Sequence, residues 1–421
     1  MSAPRGFADV LDGVDGPGVV GAVERLVAMP SMGGTPAERD VQDLLAEAWR
    51  ADGLDVEAWD LDIPALAAQD GFPGMEVSRD SARGVVARWP GTGEGPTLLI
   101  LGHTDVVPPG DLAAWSGDPF LPRIEGDRLL GRGSCDMKAG VAAMWFAARA
   151  LRDAGVRLRG DLVLAAVSGE EDGGLGTYAL LDRGLRADAC IVPEPTNLDL
   201  VPANGGALTF RIRVRGRATH ASRRTEGVSA IEKFVPVLDE LQRLEARRNA
   251  QVDPLMQRWP IAYPLSIGTI HAGDWASTVP DLLVAEGRLG VAIGETPAQA
   301  RADLEAALAA LCATDPWLLD HPIEVEWWGG QFASGRTDPA HPVVTTLGRV
   351  HETVGGARCE VYGGPYGSDL RLLVGAGIPT VHFGPGDSRA AHAPDEWVPI
   401  SDTIACARTL AAFALEYCGR A

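Results

Sequence analysis

Three short segments of this 421-residue chain are almost wholly apolar, and each is followed within a few residues by histidine or glutamate. The segments are Thr97–Leu101, Asp161–Val167 and Ala189–Val192. A strand that is apolar on both faces is typical of a parallel sheet covered by helices on both sides. Helical patterns alternate with these strands, as from about Met137 to Asp153. The chain is therefore predicted to form an α/β fold with a mainly parallel sheet.

The pattern changes near Ala207, because Ala207–Arg215 alternates apolar with polar residues as a sheet with one wet face does. Strands and helices then follow in the order β-α-β-β-α-β, which indicates a ferredoxin-like α+β arrangement. After about Arg336 the α/β pattern resumes. We therefore predict a domain over residues 207–330 that is inserted into a discontinuous α/β domain over residues 1–206 and 331–421.

Composition excludes several classes of partner. The chain has 57 acidic and 37 basic residues, and the resulting net charge of −20 disfavours nucleic acid and anionic membranes. The longest apolar runs, such as Val141–Ala148, fall short of the about 18–20 residues needed to cross a bilayer. The six cysteines form no Cys-x-x-Cys pair, and Met1–Asp15 lacks the pattern of a secretion signal. We expect a cytoplasmic protein.

The strand Thr97–Leu101 leads into Gly102-His103-Thr104-Asp105. Open α/β sheets bind ligands at the carboxyl ends of their strands, which makes His103 a candidate metal ligand. The Asp105 carboxylate, two residues on, can accept the other ring N–H group and so orient the imidazole. A hydrogen-bonded loop histidine has the same local pattern, so this motif by itself leaves both interpretations open.

Four further residues occupy comparable positions. Asp136 lies among glycines directly before a helix, where it is either a ligand held in a fixed pose or an ordinary N-cap. Glu170 and Glu171 follow the strand Asp161–Val167, and a metal ion or a solvated helix N-terminus would offset their charge. Glu194 stands between two prolines after the strand Ala189–Val192.

His392 completes the set, in a predicted loop of small residues. Together these positions supply two histidines and three carboxylates for a metal site, with one carboxylate left for acid–base chemistry. Such a mixed nitrogen and oxygen ligand set suits zinc or its neighbours. A carboxylate shared by two ions places them about 3.5–4 Å apart.

These motifs occur in a familiar order. They are Gly102-His-Thr-Asp-Val-Val-Pro, Gly131-Arg-Gly-x-x-Asp-Met-Lys, Ser168-Gly-Glu-Glu and Pro193-Glu-Pro-Thr. From about Val19 onward the chain resembles the co-catalytic zinc hydrolases of the acetylornithine deacetylase, succinyl-diaminopimelate desuccinylase, aminoacylase and carboxypeptidase G family. The resemblance implies a zinc-exopeptidase-like, three-layer catalytic domain with an inserted lid and dimerisation domain.

The resemblance also implies a role for each residue. His103 and Glu194 would hold one divalent ion, and Glu171 and His392 the other, with Asp136 bridging both ions. Asp105 would orient His103, and Glu170 would be the general base. The expected cofactor is a pair of Zn²⁺ ions, with Co²⁺ or Mn²⁺ as alternatives. The peptide bond after the bridging aspartate is often cis in this family.

Further roles fall outside the metal site. His220, in Gly216-Arg-Ala-Thr-His220, matches a family turn whose histidine reaches the partner subunit of a homodimer and polarises the scissile carbonyl. Arg288 stands where relatives often have an arginine that meets a substrate carboxylate, although the wet face of a strand also explains it. Ser368 lies in a Gly/Ser turn expected to line the substrate pocket.

The expected activity is hydrolysis of the amide bond of an N-acyl amino acid or a related small N-acyl amine. Two departures from the family pattern, Ala203-Asn-Gly-Gly and Thr278-Val-Pro, lie near the substrate side and leave the substrate open. A di- or carboxypeptidase, a formyl-aminopyrimidine deformylase-like enzyme and a non-catalytic binding relative are the alternatives. The last would need a missing ligand or base, and none is missing.

Overall fold

The computed structural model describes residues 7–421, which contain 12 α-helices and 16 β-strands. Part of the segment Met1–Asp15, which we expected to carry no secretion signal, lies outside the described residues. The helices are α1 (Phe7–Asp12), α2 (Gly16–Val27), α3 (Pro36–Ala51), α4 (Ile63–Ala67), α5 (Ala139–Asp153), α6 (Leu175–Asp182), α7 (Ala230–Arg248), α8 (Pro297–Cys312), α9 (Pro316–Asp320), α10 (Pro342–Thr353), α11 (Leu370–Gly375) and α12 (Ile400–Tyr417). The strands are β1 (Asp55–Asp60), β2 (Arg83–Trp89), β3 (Leu98–His103), β4 (Arg123–Glu125), β5 (Arg128–Leu130), β6 (Leu162–Val167), β7 (Ala189–Val192), β8 (Leu200–Asn204), β9 (Gly206–Arg215), β10 (Leu265–Ala272), β11 (Leu282–Val291), β12 (Glu324–Phe332), β13 (Gly335–Arg336), β14 (Val361–Gly364), β15 (Thr380–His382) and β16 (Trp397–Pro399).

The larger sheet has nine strands in the order β1-β2-β6-β3-β7-β15-β8-β13, with β14 paired to β8. The strands β6, β3, β7 and β15 are parallel to one another, as the apolar segments predicted. The flanks differ from that prediction, because β1, β2 and β8 pair antiparallel to their neighbours. A second, three-stranded sheet has the order β16-β5-β4.

Strand β3 shows why its sequence is continuously apolar. Leu98 and Ile100 pack in one hydrophobic cluster together with residues of α5 and α12. Leu99 and Leu101 point to the other face and pack in a separate cluster with Leu180 of α6. Because successive side chains point to opposite faces, a strand covered on both sides cannot alternate polar with apolar residues.

The chain divides into two compact units. The first comprises the described residues up to Pro202 with Arg336–Tyr362 and Leu372–Ala421, and the second comprises Ala203–Gly335 with Gly363–Arg371. The junctions near 203 and 335 lie a few residues from the predicted ones. Gly363–Arg371 differs from the prediction, which placed it in the α/β domain.

Two contacts explain that difference. The Trp259 Nε1–H group donates to the carbonyl of Gly363 at 2.6 Å. At the other end of the segment, the Arg371 guanidinium carbon lies 4.0 Å from the centre of the Phe332 ring. Both contacts join residues far apart in sequence, so local patterns did not indicate them.

The second unit contains a four-stranded antiparallel sheet in the order β10-β11-β9-β12. This is the ferredoxin-like order predicted from the sequence. Alternate residues of β9, among them Phe210 and Ile212, pack with α7 and α8 in one core. The intervening Arg211 and Arg213 both form ion pairs with Glu326 of β12. The period of two in Ala207–Arg215 therefore separates a buried face from a charged one.

Within residues 7–421, no helix combines the length and the apolar character needed to cross a membrane.

Candidate active site

Polar side chains meet at the carboxyl ends of three adjacent parallel strands. Strand β3 lies between β6 and β7 in the larger sheet and ends at His103. Glu170 and Glu171 lie just beyond the end of β6, and Glu194 lies just beyond the end of β7. All four residues come together because parallel strands end at the same edge.

The carboxylate of Asp136 lies between two imidazoles. Its Oδ1 atom is 3.0 Å from Nε2 of His103, and its Oδ2 atom is 3.3 Å from Nε2 of His392. The Asp136–Met137 peptide bond is cis, as the family resemblance implied. Each oxygen of this carboxylate therefore faces a different histidine, which is the arrangement that a bridging ligand requires.

Two glutamates complete the two sides of this arrangement. Glu194 Oε1 is 3.7 Å from Nε2 of His103. Glu171 Oε2 is 3.1 Å from Nε2 of His392. The structure thus brings together all five residues that the sequence analysis named as ligands, grouped around the two histidines.

The donor set fits a pair of divalent ions. Ligand atoms on one tetrahedral zinc, each about 2.0–2.1 Å from the ion, lie about 3.3 Å from one another. The nitrogen-to-oxygen distances around His103 and His392 run from 3.0 to 3.7 Å, which agrees with that spacing. Donor atoms of His103, Asp136 and Glu171 all lie within 4.8 Å of one another.

The charges at the site favour the binding of positive charge. Hydrogen bonds with Asp136 and then Glu171 raise the pKa of His392 to about 11. Burial alone would lower the pKa of His103, but the hydrogen bond with Asp136 and the charge of Glu194 raise it well above its usual value. The carboxylates therefore stabilise the protonated forms of both imidazole rings. A divalent cation would supply the same positive charge in place of the ring protons.

Asp105 occupies a different position from the one expected. The nearest acceptor to Nδ1 of His103 is the main-chain carbonyl of Asp105 at 3.0 Å, whereas its carboxylate lies 3.7 Å away. The carboxylate instead accepts the main-chain N–H groups of Glu170 at 3.3 Å and Glu171 at 3.1 Å. Asp105 therefore orients the ring through its backbone and holds the glutamate turn through its side chain.

Two buried charged groups that support the site were not identified from the sequence. The first is Glu396, whose side chain pairs with Arg132 at 2.6 Å. It also accepts the main-chain N–H groups of Gly133, Cys135 and Asp136 at 2.9–3.0 Å. Burial raises the pKa of Glu396, and these bonds together with Arg132 oppose that rise.

The second group is centred on Arg79, whose side chain is fully buried. Its Nη1 and Nη2 groups each donate a hydrogen bond of 2.8 Å to Asp172, and its Nε–H group is shared between the two carboxylate oxygens of Glu38, each at 3.0 Å. Asp172 directly follows Glu171, so Arg79 anchors the turn that carries both glutamates. Burial and the charge of Asp105 raise the pKa of Glu38 to about 7, although Arg79 acts to lower it.

Three predicted site residues belong to the second unit. His220 is exposed and precedes the short turn Ala221–Glu226, where its Nδ1 atom accepts the main-chain N–H group of Ser222 at 3.2 Å. Arg288 is exposed on β11. Ser368 is buried, and its hydroxyl oxygen accepts the main-chain N–H group of Leu370 at 3.3 Å.

The sequence of this chain matches a known protein family. Residues 99–416 match the family described as "Peptidase family M20/M25/M40". The chain belongs to this family.

Curated relatives of the chain include two enzymes named for the acyl groups that they remove. One is the N-formyl-4-amino-5-aminomethyl-2-methylpyrimidine deformylase of Bacillus subtilis, 31% identical over 77% of this chain and 80% of the relative. The other is the succinyl-diaminopimelate desuccinylase of Leptothrix cholodnii, 31% identical over 89% of this chain and 92% of the relative.

A solved di-peptidase from Saccharomyces cerevisiae shares the fold, with a TM-score of 0.78 over 99% of both chains at 16% identity. Family membership and these relatives show that the protein is a metal-dependent hydrolase of amide bonds. The fold expected from the sequence, a three-layer α/β catalytic domain with an inserted ferredoxin-like domain, is confirmed.

Proposed function

We propose that the protein removes the acyl group of a small N-acyl amine, using two divalent metal ions and Glu170 as the general base. One observation supports this most directly: the two oxygens of Asp136 face His103 and His392 separately. A carboxylate placed in this way suits two ions that share one bridging ligand.

The ligands fall into two sets around that bridge. His103 and Glu194 would hold one ion, and Glu171 and His392 the other. The mixed imidazole and carboxylate donors favour Zn²⁺, with Co²⁺ or Mn²⁺ as alternatives. When bound, such a pair supplies Lewis-acid chemistry, polarising a carbonyl and lowering the pKa of water.

Glu170 performs the proton transfers. It is buried at the edge of the sheet, and its main-chain N–H group donates to the Asp105 carboxylate. Glu170 accepts a proton from the attacking water as the water oxygen bonds to the carbonyl carbon. It then returns that proton to the amine nitrogen as the carbon–nitrogen bond breaks, which is the double role of a positioned carboxylate.

His220 stabilises the negative charge that develops on the carbonyl oxygen. In the tautomer whose Nδ1 atom accepts the main-chain N–H group of Ser222, the ring proton lies on Nε2. That Nε2–H group is a donor on an exposed ring, and the backbone of His220 pairs with Thr278 through an isolated β-bridge. We propose that it serves the partner subunit of a homodimer.

The second unit has a surface that suits such a dimer. Ile231, Val235 and Leu238 are exposed on α7 at helical spacing, so they form an apolar stripe. β10 is an edge strand of its sheet, and Ile270 on it is also exposed. Burial of an apolar stripe and an unpaired edge strand by a second copy would remove both from water.

The acyl group is the remaining question. The names of the relatives favour a formyl or a succinyl group. Arg288, exposed on β11, is suited to bind a carboxylate on either an N-acyl amino acid or a dipeptide, which keeps peptidase activity as the second candidate.

We also propose a cytoplasmic location, supported by six cysteines that are all free thiols.

Hydrolysis rates should be measured for N-formyl, N-acetyl and N-succinyl amines and for dipeptides, with added metal and with chelator. We expect turnover of at least one N-acyl amine, abolished by chelator and restored by Zn²⁺, Co²⁺ or Mn²⁺. Preferential hydrolysis of dipeptides would favour the peptidase. Undiminished turnover in chelator, with no metal found by elemental analysis, would rule out the proposed chemistry.

A further inference from the structure

Glu396 has an unusual set of partners for a carboxylate outside the ligand set. It is 1% exposed, and every hydrogen bond described above for its side chain comes from the short segment that ends in Asp136. Buried charges are costly unless they are paired and hydrogen-bonded, so a carboxylate with this many donors is held firmly in place.

The same residue also ties together two parts of the chain that are far apart in sequence. Its main-chain carbonyl accepts the N–H group of Gly131 at 2.8 Å. Glu396 follows His392 after only three intervening residues, so it joins the segment carrying one histidine to the segment carrying Asp136. Movement of either segment relative to the other would break several of these bonds at once.

We propose that Glu396 is a positioning residue that fixes the Asp136 carboxylate between His103 and His392 and thereby strengthens metal binding. The main-chain N–H group of Asp136 donates to Oε1 of Glu396 at 3.0 Å, so the backbone that carries the bridging carboxylate is held directly. Groups that orient metal ligands typically contribute about 10–100-fold to metal affinity. This inference rests on the proposed metal site.

The test is the metal affinity of purified metal-free protein, measured with Zn²⁺ in competition with a chromophoric chelator. Glu396→Gln removes the charge and replaces one acceptor oxygen by a donor, while the size of the side chain stays the same. We expect the affinity to fall about 10–100-fold. The visible absorption spectrum of bound Co²⁺ should also change, because it reports the geometry of the ligands.

Glu295 offers a matched control in the second unit. It pairs with Arg248 at 2.6 Å and accepts the main-chain N–H group of Ala292 at 2.8 Å, so Glu295→Gln also breaks a well-bonded ion pair. We expect that variant to lower the thermal midpoint without changing the metal affinity or the Co²⁺ spectrum. If Glu396→Gln does not fold, Glu396→Asp keeps the charge with a shorter reach, and we expect a smaller loss of affinity.

Glu171→Gln, which alters a proposed ligand, distinguishes the two ways in which the inference can fail. Unchanged affinity in the Glu396 variants, together with a clear loss in Glu171→Gln, would overturn the positioning role and leave the metal site standing. Unchanged affinity in all of them would overturn the metal site and the positioning role with it. Equal losses in Glu396→Gln and Glu295→Gln would show that any destabilisation weakens the site, and would also overturn the specific role of Glu396.

Discussion

The Asp105 carboxylate accepts the main-chain N–H group of Glu170 at 3.3 Å. This contact links the end of β3 to the turn after β6. The same carboxylate accepts the N–H group of Glu171, so one buried side chain sets the backbone of the proposed base and of a proposed ligand. Adjacent residues with different tasks are therefore held by a single anchor.

The first prediction separates those two glutamates. Glu170→Gln should keep its metal ions but lose about 10²–10⁴-fold in kcat, because it removes proton transfer and no ligand. Glu171→Gln should lose metal, because it removes a carboxylate that lies 3.1 Å from His392. Elemental analysis beside steady-state kinetics measures both effects. Equal loss of metal in the two variants would show that the base is assigned to the wrong residue.

A second prediction concerns pH and metal affinity. In the absence of a cation, the pKa of His392 is raised to about 11, so the ring is protonated throughout the range from pH 6 to 9. A metal ion binds only the deprotonated imidazole and must displace that proton. The affinity should therefore rise with pH by at least about tenfold for each unit.

Chelator competition between pH 6 and 9 measures that slope. Calorimetry in two buffers of different ionisation enthalpy should also show proton release when metal binds. An affinity that stays flat over this range would mean that His392 is not a ligand, or that its ring is already neutral.

The third prediction concerns Arg79. Arg79→Met leaves the buried carboxylates of Glu38 and Asp172 without their cation, which should cost about 3–5 kcal/mol in the free energy of unfolding. The turn that carries Glu170 and Glu171 loses its anchor, so kcat should fall as well. Arg79→Lys keeps the charge but not the bidentate geometry. Its stability and its kcat should therefore lie between those of the unmodified protein and those of Arg79→Met.

Denaturant unfolding and steady-state kinetics measure these effects. Arg152→Met is the control, because Arg152 pairs with Asp52 at a partly exposed position and should cost no more than about 1 kcal/mol. An Arg79→Met protein with unchanged stability and unchanged kcat would contradict the anchoring role.

The fourth prediction tests His220 across a dimer. His220→Ala should lower the rate about 10²–10³-fold, as loss of one donor to a developing oxyanion does, with metal content unchanged. A mixture of His220→Ala and Glu170→Gln subunits should regain part of the activity, because a heterodimer holds one site with both residues intact.

His321→Ala is a suitable control for that experiment. His321 also lies in the second unit, where its ring stacks on the ring of Trp317 with 3.8 Å between the ring centres. Loss of the His321 side chain should leave the rate unchanged. Subunit exchange is followed with a mass tag. Mixtures that exchange subunits and stay inactive would show that His220 does not serve the partner's site.

Much of the first unit, which carries the proposed metal site, could be predicted from the sequence. β3 and β6 are apolar on both faces because both faces are covered, and that pattern is local. His103, Glu170 and Glu194 lie at or just beyond the carboxyl ends of such strands, so their place at one edge of the sheet followed from the prediction of a parallel sheet. The inserted unit was equally accessible, because the period of two in Ala207–Arg215 reports one buried face.

Only the tertiary structure decided how the charged groups pair. No local pattern in the sequence marks Arg79 or Glu396 as buried, because most arginines and glutamates are exposed. Their partners lie far along the chain: Asp172 is 93 residues from Arg79, and Arg132 is 264 residues from Glu396. A buried charge is tolerated only where distant groups converge on it, and convergence is a property of the folded chain. The strand patterns therefore indicated where His103, Glu171 and Glu194 would lie, whereas packing placed the Asp136 carboxylate between the two histidines.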